Sequence, residues 1–233
     1  MTQDDFASYT NYRYWPEMLS SGLLNEEMIK AIVDYRETHG GEILGMTRFM
    51  RHLDDWPYAH YAYGLLTSDE WEKFLLGLYA HMIHHQSIGT YTAYEQVSVL
   101  GEEFREPVAD YCVPSQLVVP IMLKWMLVFE DPVQNALWLC KAIPIAWFYR
   151  GISVKEVPTR WGKVSFSLES EGGLVSIKVL APKSAEELRI LIPLRGKFKV
   201  EGYCNCKLRI VNKDVIEVEP LNETISINLT EIR

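Results

Sequence analysis

Positive charge is scarce in this chain and nowhere clustered. Lysine and arginine number 23 against 31 aspartates and glutamates, a formal net charge of −8. Nucleic acid is therefore not an expected ligand, because neutralising phosphates needs a grouped basic surface. Long apolar runs are missing too. The most apolar stretch, Leu117 to Phe129, is broken by Pro120 and Lys124 and is too short to span a bilayer, so a membrane is not expected as a partner. The opening Met1-Thr2-Gln3-Asp4-Asp5 is polar and acidic, with no apolar stretch behind it, which predicts no secretory signal. Cysteines number only 4, and the Cys204-x-Cys206 pair has no second pair at zinc-ribbon spacing. Free, mostly buried thiols in a reducing, cytoplasmic setting are the expectation. Glycine-rich phosphate cradles are absent, since Gly40-Gly41 and Gly172-Gly173 read as stops and turns. Ser115 lacks the flanking glycines of a nucleophile elbow. Histidine does not occur beyond His85; His81 and His85 lie one turn apart, but Met82 stands where a zinc protease needs glutamate. Neither a metal nor a cofactor is expected.

What is present divides near Gly151. Up to Arg150 the apolar residues recur at helical intervals, and beyond it they alternate. Residues 1–150 are thus expected to be helical and residues 151–233 an antiparallel β-sandwich. Asn25 is placed to cap a helix through Ile29, Ile32 and Val33 to the Gly40-Gly41 stop. Pro57 opens a helix from Tyr58 to Leu66, and Thr67 or Ser68 caps the next, with Trp71, Phe74, Leu78 and Met82 as its buried stripe. Pro114 begins a helix reaching Phe129, and Asp131-Pro132 begins another through Leu137 and Leu139. In the second region Lys163–Glu169 and Leu174–Leu180 read as a hairpin about Glu171-Gly172-Gly173, and further short strands run to Leu229.

The stretch most able to do chemistry is His84-His85-Gln86-Ser87-Ile88-Gly89-Thr90-Tyr91-Thr92-Ala93-Tyr94-Glu95-Gln96. It follows a strongly apolar-periodic segment, yet its own few apolar positions keep no helical spacing. Flat rings cover the C–H faces of a sugar, and amides and carboxylates bind its hydroxyls. An ordinary polar connection with a few buried tyrosines explains the same residues. A second candidate is Arg51-His52-Leu53-Asp54-Asp55-Trp56-Pro57. Glycoside hydrolysis needs a carboxyl that donates a proton and a second that activates water or attacks carbon, and adjacent aromatics raise a carboxyl pKa by burial. Against that, one aspartate is placed to cap the helix that Pro57 opens. The resulting set has Glu95, Asp55 and Asp54 as catalytic carboxylates and His52, Trp56, Tyr91, Tyr94, His84, His85 and Gln86 as substrate contacts.

Thr47-Arg-Phe through His52-Leu-Asp-Asp-Trp-Pro, Gly89-Thr-Tyr-Thr-Ala-Tyr-Glu, Asp110-Tyr-Cys-Val-Pro-Ser-Gln, and Ala142-Ile-Pro-Ile-Ala-Trp-Phe leading into Pro158-Thr-Arg-Trp-Gly together resemble the carboxy-terminal part of the six-hairpin glycosidase superfamily. The resemblance implies a partial (α/α)6 toroid at 1–150 followed by the sandwich at 151–233, with acidic loops at one face of the toroid. It implies a carbohydrate-active protein, either a glycoside hydrolase or a non-catalytic carbohydrate-binding or assembly protein. Only about half the helices of a toroid are present, and stripes such as Leu117, Ile121, Trp125 and Phe129 would lack neighbours. A homo-oligomer, or a second chain completing the toroid, is the partner this implies.

Overall fold

The computed structural model describes residues 8–50, 52–54, 56–98, 111–182, 188–202, 204–220 and 223–232. The chain divides into two compact units, one up to Trp125 and one from Met126. No (α/α)6 toroid is formed. The described residues hold five α-helices and fourteen strands in three sheets, so neither the six-hairpin expectation nor a purely helical region before residue 150 stands.

The first unit carries helices α1 (Trp15–Leu19), α2 (Glu26–Thr38), α3 (Tyr58–Thr67), α4 (Trp71–Ala80) and most of α5 (Val113–Leu127). Asn25 caps α2 as its sequence requires, its side chain accepting from the Met28 N–H at 2.9 Å. Thr67 and Ser68 act otherwise than expected: their hydroxyls bond back to carbonyls of Gly64 and Leu65 and close α3, while α4 begins with no side-chain cap. The same unit also contains a four-stranded antiparallel sheet, β1 (Glu42–Ile43), β2 (Met46–Phe49), β3 (His52–Asp54) and β4 (Gln96–Ser98), in that order. Its first hairpin turns at Leu44-Gly45, with φ of 55° and 77°. Two consecutive positive φ values suit the twist of a two-residue hairpin, and glycine takes the second without strain.

The second unit contains β5 (Val128–Asp131), β6 (Ala136–Leu139), β7 (Ile152–Thr159), β8 (Gly162–Glu171), β9 (Leu174–Leu180), β10 (Ile190–Pro193), β11 (Phe198–Val200), β12 (Lys207–Asn212), β13 (Val215–Glu219) and β14 (Thr224–Glu231). They form two five-stranded sheets, β12-β13-β10-β6-β5 and β11-β14-β9-β8-β7. The helix expected from Asp131-Pro132 is instead the β5–β6 hairpin. Asp131 Oδ1 accepts from the N–H groups of Val133 and Gln134, an Asx turn that reverses the chain. Ala136 to Leu139 then runs apolar without alternation because all four residues are buried. Phe129, expected on a helix face, is a fully buried residue of β5.

Candidate functional site

Strand pairing builds the site. β3 and β4 run antiparallel with Asp54 opposite Gln96, which sets Glu95 next to the residue facing Asp54. Asp54 is completely buried. Its Oδ2 accepts from the Tyr12 hydroxyl at 2.9 Å and from the Gln96 side-chain amide at 2.9 Å. Its Oδ1 is buried with no hydrogen-bond partner among the described residues. Burial pushes the Asp54 carboxyl up to about 6, against the pull of the two donors, and the Glu95 charge adds to the rise. Burial, then the neighbouring Asp54 charge, raises the Tyr12 phenol as well.

Rings surround this carboxyl. Tyr12 packs on Phe49 with centroids 4.5 Å apart, and Tyr9 meets Tyr12 and Tyr14 edge-on at 5.5 Å each. Two residues beyond Asp54, the half-buried Trp56 lies under the Arg13 guanidinium at 4.7 Å. Arg13 is held by Glu17 at 2.7 Å and by the Tyr9 hydroxyl at 3.1 Å.

The loop before β4 is closed by its own bonds. Gln86 bridges to Ala93, the Ser87 N–H donates to the Thr92 carbonyl at 2.9 Å, and the His85 Nε2 contacts the Tyr94 carbonyl at 2.5 Å. His85 is buried and His84 exposed, at the end of a π-helical stretch (His81–His85) that continues α4. Burial lowers His85 to about 4 and His81 to about 3, so both imidazoles are neutral at ordinary pH. His81 Nδ1 bonds the Gly77 carbonyl at 2.6 Å.

The structure thus brings Asp54, Trp56, Glu95 and the Tyr94 backbone around the β3–β4 pair. His52 is half-buried on β3 opposite Ser98, while Tyr91 stands 64% exposed in the loop. His84 and Gln86 occupy the start of that loop. Asp55 lies outside the described residues. Asp54 does not make the cap expected of one aspartate, since the residue preceding α3 is Pro57 and no side chain among the described residues caps it. Gln96 and Phe49 stand in stretches that the sequence singles out, without a role there, and Tyr12, Tyr9 and Arg13 were not legible as site residues. The aromatic density of Tyr9-Thr10-Asn11-Tyr12-Arg13-Tyr14-Trp15 was their available signal.

Comparison of the chain with models of protein families and with curated proteins returns no match.

Proposed function

We propose that the protein binds carbohydrate around Asp54, with Trp56, Tyr9 and Tyr94 as ring surfaces and Gln96, Tyr12 and Glu95 as polar partners. The observation that carries this reading is the buried Asp54 carboxyl itself, held by Tyr12 and Gln96 under aromatic rings, with one oxygen that has no hydrogen-bond partner among the described residues. A strongly perturbed carboxyl among aromatics is costly to keep unless it serves binding or chemistry. Because Asp54 is closed off, its first role in this reading is to orient the Tyr12 hydroxyl and the Gln96 amide. A glycan screen of the purified protein tests it: wild type should retain a glycan that the Asp54→Ala variant, which has no acceptor for Tyr12 or Gln96, loses, and absence of any retained glycan rejects it.

Hydrolysis is a second reading, favoured by one observation. At pH near 6 Asp54 holds a proton for part of the time beside a second carboxylate, Glu95. Release of nitrophenol from aryl glycosides, lost in Asp54→Asn and in Glu95→Gln, would support it; no turnover over wild-range pH would leave binding alone. Four free cysteines accord with the reducing, cytoplasmic setting that belongs to this proposal. No helix among the described residues is long and apolar enough to cross a membrane.

A further inference from the structure

Tyr91 sits in the left-handed region at φ 54°, where a residue with a Cβ is strained. Within the loop its N–H donates to the Ser87 carbonyl at 2.9 Å, and it is held from a different element as well. Gln116, on α5, donates its Nε2 to the Tyr91 carbonyl at 2.6 Å and accepts the Ala93 N–H on Oε1 at 2.9 Å. The Cys112 N–H, one residue before α5, adds a bond to the Ala93 carbonyl at 3.2 Å. Both ends of one half-buried amide are therefore spent on the backbone of the loop, across 25 and 23 residues of sequence. A glutamine that only decorated a helix surface would spend those groups on water. Tyr91, meanwhile, is 64% exposed.

We infer that Gln116 is a positioning residue: it clamps the loop so that Tyr91 presents its ring for the ligand. This rests on the carbohydrate reading above. An exposed ring fixed in advance loses little conformational freedom when a sugar stacks on it, which is how order in the free protein becomes affinity. Without the clamp, only the loop's own bonds oppose relaxation of the strained φ of Tyr91, and more of the ordering of the ring falls at the moment of binding.

The test is a two-by-two cycle of Gln116→Met and Tyr91→Ala, titrated calorimetrically with the best glycan of the screen. Amide exchange at Ala93 and a urea unfolding curve are recorded for each protein. Losing two ordinary hydrogen bonds should weaken binding roughly tenfold in Gln116→Met and speed Ala93 exchange by a similar factor. In the Tyr91→Ala background Gln116→Met should weaken binding no further, because its effect passes through that ring. A purely structural Gln116 would instead give equal losses in both backgrounds, and unchanged affinity in Gln116→Met would overturn the inference while leaving the carbohydrate reading intact. Should Gln116→Met fail to fold, Gln116→Glu keeps the acceptor for Ala93 and removes the donor to Tyr91, so binding should weaken in the same way while Ala93 exchange stays as in wild type. Wild type binding no glycan rejects the carbohydrate reading, and the inference with it as far as ligand is concerned. Ala93 exchange then decides the clamp, and an unchanged rate overturns that too.

Discussion

Replacing Asp54 by asparagine should stabilise the protein, and only where Asp54 would otherwise ionise. The buried carboxyl is held at about 6 against 3.8 for the free side chain. A tenfold difference in proton affinity is worth about 1.4 kcal/mol, so ionising Asp54 in place costs on the order of 3 kcal/mol. The sign follows from which state holds the proton more tightly. Here the folded state does, so the penalty is absent below the unfolded value of 3.8, grows as pH rises towards 6, and is complete above it. Asparagine resembles the protonated acid: each accepts from Tyr12 and Gln96 on one oxygen and leaves a donor at the unpartnered Oδ1 position. The two proteins should therefore be equally stable in acid. Integrating the titration puts the advantage of Asp54→Asn at about 1 kcal/mol at pH 4.5 and about 3 kcal/mol at pH 7.5. Urea unfolding followed by tryptophan fluorescence at both pH values measures the difference directly. A gap that does not change with pH, or an asparagine variant weaker at pH 7.5, would refute the burial argument.

The other expectations concern the frame around the site. Arg36 is fully buried, donating to the Asn11 and Gly41 carbonyls and the Thr47 hydroxyl, 4.0 Å from Glu42. Arg36→Met should cost roughly 3–5 kcal/mol in urea unfolding by stranding Glu42 and three acceptors, and Arg36→Lys should not restore it. Unchanged unfolding midpoints would show that Glu42 is buried uncharged. A Cβ on Gly77 would fall 1.7 Å from the Tyr58 hydroxyl. Gly77→Ala should lower the melting temperature despite a helix-propensity gain of about 1 kcal/mol, and no loss would mean that the Tyr58 ring has room to move. His81 is pushed down to about 3 from 6.5, so its stabilising neutral form is an advantage above 6.5 that drains away as pH falls towards 3. The stability gap between wild type and His81→Leu should accordingly narrow from pH 7 to pH 4; a constant gap would remove His81 from the acid limb. Leu76, Tyr79 and Ile83 are exposed by 58%, 44% and 69% at three- and four-residue spacing. Sedimentation should show self-association that Leu76→Glu weakens, and a monomer at all concentrations would refute it.

Local chemistry was legible in the sequence where a residue's own bonds decide the outcome. Asn25 caps α2, and the alternation from Lys163 to Leu180 gives the β8–β9 hairpin with its turn at Gly172-Gly173. Misreadings arose where burial on two faces erased periodicity. Ala136 to Leu139 is apolar at every position because all four residues of β6, paired on both sides by β10 and β5, are buried, and a short run of that kind does not distinguish strand from helix. Asp131 looked like a helix cap because Asx turns and caps use the same side-chain acceptor. Within the site, the loop acid and the Asp54 segment stood out by composition. Their partners did not: the bond from Tyr12 to Asp54 spans 42 residues, and no spacing in the sequence announces it.

The most direct measurement is a titration of ¹⁵N-labelled protein with oligosaccharide. Binding around Asp54 predicts saturable shifts of the Trp56 indole N–H, the Gln96 side-chain amide and the Tyr94 backbone N–H, all lost in Asp54→Ala. Saturable shifts confined to other residues, or no shift with any glycan at millimolar concentration, would contradict a carbohydrate site at Asp54.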